Sequence, residues 1–109
     1  MPVIVSPRAF TGYPAPFTTT PNTDTPINFE AMEAFPFPIA GLRIVNNSAV
    51  NVYYAYDSTA SLGSAFVAPG VTYFSDEIAL AVLHIYTPSP VSVNGTTPGG
   101  IEILGILNM

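Results

Sequence analysis

Residues 41–57 read GLRIVNNSAVNVYYAYD, and this stretch decides the predicted fold. Two short segments of alternating apolar residues, 42–46 and 50–57, flank an Asn-Asn-Ser turn signal. Apolar residues at every second position are typical of strands with one buried face, and Asn and Ser favour tight turns. The stretch therefore predicts two consecutive β-strands and no helix.

The tyrosines of the second segment fall on two faces. Alternation places Val52, Tyr54 and Tyr56 on one face of the strand and Tyr53 on the other. Exposed tyrosines can form a platform on which sugars or bases stack. Packing in the core or against another subunit is the interpretation that the sequence favours, because one face of a two-layer sheet structure is buried.

The chain beyond this stretch repeats the strand pattern. The predicted strands, separated by turn signals such as Pro69-Gly70 and Asn94-Gly95, are 64–68, 71–75, 78–86, 91–93 and 101–107. Six or seven short strands predict an all-β fold, an antiparallel β-sandwich of the jelly-roll or immunoglobulin-like type. The residues expected to be largely buried are Val52, Tyr54, Leu80, Val82, Ile85, Ile103 and Leu104.

Both faces of the strand predicted at 78–86 carry apolar side chains. His84 and Tyr86 alternate with the same parity as Leu80 and Val82, so one face has to accommodate all four side chains. Ile85 has the opposite parity. The sequence does not decide which of these two faces packs in the core.

Residues 1–40 differ in composition from the sandwich body predicted at 41–109. Eight of the twelve prolines lie within residues 1–38, and residues 10–26, FTGYPAPFTTTPNTDTP, contain one charge. Proline excludes a helix there and is unfavourable in an interior strand. We expect an extended N-terminal arm, with one short helix at 28–34 before Pro36. The alternative for the arm is a tail that never becomes ordered.

Charge is scarce in the whole chain of 109 residues. Only 8% of the residues are charged, whereas about 25% is usual for a soluble domain. There are two arginines, no lysine and seven acidic residues, which give a net charge of −5. Few cations are available to neutralise phosphates or anionic lipids, so we expect neither nucleic acid nor a membrane as a partner.

The sequence offers little for catalysis. His84 is the one histidine, and it lies within a predicted apolar strand. It could act as a general base or a metal ligand, but with no cysteine and no second histidine the sequence favours a hydrogen-bonded histidine within a sheet. Asp76-Glu77 predicts an exposed loop and not a calcium site. We therefore expect no catalytic residues, no metal site and no cofactor, and a protein that is not an enzyme.

Residues 41–77, about a third of the chain, resemble small virion structural proteins of tailed bacteriophages. The residues that carry the resemblance are Ile44, Asn46, Ser48, Val52, Tyr54, Asp57, Val67, Pro69 and Gly70. The resemblance implies a β-sandwich that sits on the virion as a capsid decoration, cement or tail-associated subunit. It implies no catalytic motif.

Such a subunit needs contacts with its neighbours, and the arm is the predicted source of them. The six aromatic residues expected to bind partners are Phe10, Tyr13, Phe17, Phe29, Phe35 and Phe37. The expected partners are the major capsid protein or other virion subunits, including copies of this chain in a homo-oligomer. No secretory signal is evident, so we expect synthesis in the host cytoplasm and, from the acidic balance, a position on the outer virion surface. The alternative is a carbohydrate- or receptor-binding module on a phage tail or fibre.

Overall fold

The computed structural model describes residues 7–9, 15–28, 41–75, 82–95 and 99–108. Within these residues the fold is all-β, and no helix is present. The strands are β1 Pro7–Ala9, β2 Phe17–Thr18, β3 Thr25–Asn28, β4 Gly41–Asn46, β5 Val52–Tyr56, β6 Ala65–Val67, β7 Thr72–Ser75, β8 Val82–Tyr86, β9 Ser92–Val93 and β10 Ile101–Asn108. A helix long and apolar enough to cross a membrane is accordingly not found in the described part of the chain.

The strands form two sheets. Sheet A has the order β2-β9-β10-β4-β7, and β1 pairs with the C-terminal end of β10. Sheet B has the order β3-β8-β5-β6. All pairings are antiparallel except the short parallel contact of β9 with β10. This arrangement confirms the predicted all-β class and the two packed sheets.

The core lies between the two sheets and follows strand alternation. On β4, Leu42 and Ile44 are fully buried whereas Arg43 is exposed. Ile101 and Ile103 of β10 pair with Asn46 and Ile44 and face the same way. Sheet B contributes the buried residues Ile27, Val52, Val67, Leu83 and Ile85. Each sheet therefore buries one face, as expected for a sandwich.

The predicted core is correct in part. Val52, Ile85 and Ile103 are fully buried, which confirms those predictions. Tyr54 is half-buried and packs against the core. Val82 and Leu104 are also half-buried, but they lie on the outer faces of their sheets and not in the core. Leu80 lies outside the described residues.

Strand alternation explains why Val82 and Leu104 lie outside the core. Leu83 and Ile85 are the core residues of β8, which turns Val82 to the opposite face, together with His84 and Tyr86. Val82 and Ile85 are three positions apart in the strand, so their side chains point to opposite faces and only one of them can lie in the core. Leu104 pairs with the exposed Arg43 and so lies on the outer face of sheet A.

The described part of residues 1–40 belongs to the sandwich. β2 pairs with β9, and β3 pairs with β8, so each is the outermost described strand of its sheet. Pro26 is tolerated in β3 because an edge strand needs hydrogen bonds on one side only. The helix predicted at 28–34 and the remainder of the arm lie outside the described residues, except that Asn28 ends β3.

The Pro69-Gly70 turn carries the chain from sheet B to sheet A. Gly70 has a positive φ of 80°, a conformation that favours glycine, and its N–H donates to the carbonyl of Asn46 at 2.7 Å. β6 and β7 therefore belong to different sheets, although they are consecutive in the chain. They lie at the same side of the sandwich, where each ends its sheet within the described residues.

Candidate functional site

The side of the sandwich formed by β6 and β7 exposes apolar side chains. Leu62, Phe66, Val71 and Phe74 are 63%, 53%, 47% and 56% exposed, and they are the large hydrophobic residues found exposed in the described part of the chain. All four come from residues 62–74, LGSAFVAPGVTYF, which contain no charged residue. We call residues 62–74 the apolar edge.

The apolar edge reaches both outer faces of the sandwich. Phe66 pairs with Tyr53 on the outer face of sheet B, where the two ring centroids are 5.6 Å apart. Phe74 pairs with Arg43 on the outer face of sheet A. Because β6 and β7 end their sheets in the described structure, backbone hydrogen-bonding groups also lie along this side. Such an edge is a template for pairing with another chain.

Three tyrosines close the sandwich beneath the apolar edge. Tyr54 and Tyr56 of β5 meet Tyr73 of β7 between the sheets. The rings of Tyr54 and Tyr73 are 4.9 Å apart, and the hydroxyls of Tyr56 and Tyr73 form a hydrogen bond of 2.5 Å. Burial, together with the hydrogen bond and charge of Tyr73, raises the pKa of Tyr54 to about 12. The same causes, burial first, raise the pKa of Tyr56 well above its ordinary value. The hydrogen bond between Tyr56 and Tyr73 links sheet B to sheet A.

The outer face of sheet B carries the remaining aromatic side chains of this region. Tyr53 lies between Phe66 and Tyr86, and its ring meets that of Tyr86 edge-on at 6.1 Å. The predicted separation of Tyr53 from Tyr54 and Tyr56 is therefore observed. The hydroxyl of Tyr86 donates to Oδ1 of Asn22 at 3.0 Å.

His84 lies beside this aromatic row and pairs with Asp24. Its Nδ1 is 2.9 Å from Oδ2 and 3.1 Å from Oδ1 of Asp24, and both side chains are mostly buried. Oδ1 of Asp24 also accepts a hydrogen bond of 2.8 Å from the N–H of Ala60. The Asp24 carboxylate therefore connects the segment before β3 with β8 and with the loop after β5.

This geometry supports a structural interpretation of His84. The sequence shows no carboxylate near the histidine, whereas Asp24, 60 positions earlier, lies within hydrogen-bond distance. No local pattern could reveal this contact, because it depends on β3 pairing with β8. In the described residues, no group of three or more histidine and acidic side chains lies close enough together to hold a metal ion.

The opposite side of the sandwich, formed by β2 and β3, is held by buried polar contacts. Thr19 is 4% exposed, and its hydroxyl contacts the hydroxyl of Thr87 at 2.7 Å. The same oxygen accepts a hydrogen bond of 2.8 Å from the N–H of Val91. The N–H of Asn22 donates to the carbonyl of Thr87 at 2.8 Å. We call residues 17–28 the pinned edge.

Of the six aromatic residues predicted to bind partners, only Phe17 lies within the described residues. It is half-buried and packs against the core. Phe10, Tyr13, Phe29, Phe35 and Phe37 fall outside the described structure, and their role stays a prediction. The residues that sequence reasoning missed are Leu62, Phe66 and Phe74; the signal that could have identified them is the absence of charge over residues 62–74.

A shallow depression of about 430 Å³ lies where three loops meet. Its described lining is hydroxyl groups, small side chains and backbone, contributed by residues 48–50, 89–92 and 99–100. Gly100 is packed closely here, because a Cβ at this position would lie 2.4 Å from the carbonyl oxygen of Ser92. No titratable side chain occurs in that lining, so it offers no acid–base chemistry.

Comparison of the chain with protein-family models, with curated proteins and with solved structures gave no match.

Proposed function

We propose that this chain is a non-enzymatic structural subunit of a virion, a capsid decoration or cement protein that clamps neighbouring capsid subunits. The observation that carries the proposal is the apolar edge, which exposes Leu62, Phe66, Val71 and Phe74 in a stretch without charge. Several large apolar side chains exposed along one uncharged stretch favour a contact with another molecule.

Two of the devices that keep a sheet edge from pairing, charged side chains and proline within a strand, are missing from residues 62–74. Native proteins protect edge strands with charged side chains, proline, bulges or covering loops. Residues 62–74 contain one proline, Pro69, which lies in the turn and not in a strand. A partner that covers this side would bury apolar side chains and pair with backbone groups along β6 or β7, which end their sheets in the described structure, and both effects favour association.

The virion assignment has further support from the sequence. Residues 41–77, which resemble virion structural proteins of tailed bacteriophages, include the whole apolar edge. The net charge of −5 favours the outer virion surface over a position beside packaged DNA. The finer fold that we propose is a jelly-roll or immunoglobulin-like sandwich. In it, the aromatic residues of the arm beyond the described part add contacts on neighbouring subunits.

The test is occupancy of the chain on purified virus particles. The double variant Leu62→Ser with Phe66→Ser removes apolar surface from the edge without touching the core. We expect its occupancy after dilution to fall to about a tenth of wild type or less, because aromatic contacts dominate such interfaces. The matched control is Thr18→Ser with Thr20→Ser, two exposed residues on the other side. Wild-type occupancy of the edge variant would contradict the proposal.

A second candidate function is a carbohydrate- or receptor-binding module on a phage tail or fibre. The outer face of sheet B favours it, because Tyr53, Tyr86 and Phe66 lie beside the Asp24–His84 pair. Aromatic rings next to polar side chains suit the alternating apolar and hydroxyl surfaces of sugars. Retention of a monomeric wild type on a glycan column, lost in Tyr53→Ala and kept in Leu62→Ser, would favour this candidate over the structural subunit.

A further inference from the structure

Two opposite charges on the outer face of sheet A have no partner in the described structure. Four charged side chains are described, and two of them, Asp24 and Asp57, accept hydrogen bonds from within the chain. The side chains of Arg43 and Glu102 are exposed, and within the described residues neither side chain makes a hydrogen bond or an ion pair. Arg43 is one of only two cations in the whole chain.

The two charges are neighbours on one flat surface. Arg43 pairs with Leu104 and Glu102 pairs with Val45 across β4 and β10, so the charges are diagonal neighbours. Diagonal residues of an antiparallel pair are roughly 7–8 Å apart. Phe74, 56% exposed, pairs with Arg43 on its other side. The surface therefore presents one positive and one negative group amid apolar side chains.

We propose that the outer face of sheet A is an interface between two copies of this chain, in which Arg43 of each copy binds Glu102 of the other. A two-fold axis between the facing sheets, perpendicular to the line from Arg43 to Glu102, brings each charge opposite its counterpart. Facing sheets pack about 10 Å apart, a gap that an arginine and a glutamate side chain span together. The strands of the two copies cross at a steep angle, as in the orthogonal class of sheet packing.

Charge complementarity identifies the occupant as a second copy. A ligand or protein of one charge would satisfy one of the two groups and leave the other facing a like charge. A second copy related by a two-fold axis places its Glu102 opposite Arg43 and its Arg43 opposite Glu102, as in an isologous interface. Phe74, Leu104 and Val45 add apolar area around the ion pairs. Arginine and aromatic side chains together are typical of interface contacts.

This interface lies on the outer face of sheet A and shares Phe74 with the apolar edge. It rests on the proposed function only in treating the chain as a subunit of an assembly, and it requires no virion partner. It is measured on the purified full-length chain alone, whereas the proposed function is measured on virus particles with Leu62 and Phe66 replaced. Either result can therefore fail without the other.

The experiment is sedimentation equilibrium of the full chain and three charge variants. The variants are Arg43→Glu, Glu102→Arg and the double exchange of both residues. We expect a wild-type dimer with a dissociation constant on the order of 0.1 mM or tighter. Each single exchange sets like charges against each other and should raise that constant about tenfold or more, whereas the double exchange should return it to within about threefold of wild type. The wild-type dimer should also weaken as salt is raised.

Controls separate pairing from net charge and from folding. Thr59→Glu adds a negative charge on the exposed loop after β5 and should leave the dimer unchanged. Unfolding midpoints of all variants show whether each remains folded. A wild type that stays monomeric up to about 1 mM overturns the proposal. It is also overturned if the single exchanges dimerise normally, or if the folded double exchange does not recover.

Discussion

The two sides of this sandwich end their sheets in different ways. The pinned edge, residues 17–28, is held to the body by buried polar contacts of Thr19, Asn22 and Asp24. The apolar edge, residues 62–74, is held from inside by Tyr73 and exposes phenylalanine rings outside. Polar side chains that are satisfied within the chain offer a partner no unpaired group, whereas exposed rings offer apolar surface. This difference supports the proposal that the apolar edge, and not the pinned edge, is the contact surface.

Removal of the pinned edge is the change with the largest expected effect. Deletion of residues 2–26 takes away β2, Phe17 and the buried Thr19, and it leaves only the end of β3. Composition alone predicts that the body would fold without these residues. The pairing instead predicts a loss of at least about 4 kcal/mol in the free energy of unfolding, because core side chains and buried polar groups are uncovered. Urea unfolding of the deleted chain measures this, and wild-type stability would show that the pinned edge is dispensable.

Replacement of the buried Thr19 hydroxyl by a methyl group should have the next largest effect on stability. In Thr19→Val the shape is kept, but the N–H of Val91 loses its acceptor and the hydroxyl of Thr87 loses its partner. Leaving buried polar groups unsatisfied should cost about 2 kcal/mol of unfolding free energy. Thr18→Val, at the exposed neighbouring position of β2, is the matched control and should change stability by about 0.5 kcal/mol or less. Equal effects at the two positions would count against the buried network.

The Asp24–His84 pair is more exposed than the contacts of Thr19, so its loss should lower the free energy of unfolding by less. Asp24→Ala removes the acceptor for both the imidazole and the N–H of Ala60, with an expected loss of about 1–2 kcal/mol. His84→Gln keeps a donor side chain near the carboxylate and should cost less than Asp24→Ala. Thermal or urea unfolding of the two variants compares them. A larger loss from His84→Gln would assign the histidine a role beyond this tie.

The stability of the fold at alkaline pH tests the tyrosine contacts that lie beneath the apolar edge. The pKa of Tyr54 is raised from 10.0 to about 12, so in the unfolded chain this tyrosine ionises before it does in the folded chain. Stability should therefore be constant well below about pH 10 and fall as the pH rises toward about 12, because the unfolded state loses the proton first. Urea unfolding at a series of pH values should show this fall, and Tyr54→Phe should reduce it. Stability that stays flat up to about pH 12 would contradict the cause assigned to the raised pKa.

The features that could be predicted from the sequence are those that local alternation determines. The separation of Tyr53 from Tyr54 and Tyr56, the turn at Pro69-Gly70 and the burial of Val52 all follow from period-two spacing and turn chemistry. The core face of β8 could not be chosen, because both parities carry large apolar side chains. Leu83 and Ile85 pack inward only because sheet A lies on that side.

Contacts between distant residues set the limit of sequence reasoning. Proline-rich residues before position 29 predict an element separate from the body, yet Pro26 is compatible with an edge strand, and β3 pairs with β8. The contacts of Thr19 with Val91 and of Asp24 with His84 join residues 72 and 60 positions apart and leave no local signal. Low charge in residues 62–74 was visible in the sequence, but only the sheet order shows that this stretch lies at the side of the sandwich.

Hydrogen–deuterium exchange on particles that contain the chain, compared with the free chain, tests most directly whether the apolar edge is the contact surface. We expect amides of residues 65–75 to become protected on assembly, because a partner would cover β6 and β7. Amides of residues 17–28 should exchange at the same rate in both states, because the pinned edge lies on the opposite side of the sandwich from the proposed contact. New protection of residues 17–28 without any change at residues 65–75 would contradict the assignment of the apolar edge as the contact surface.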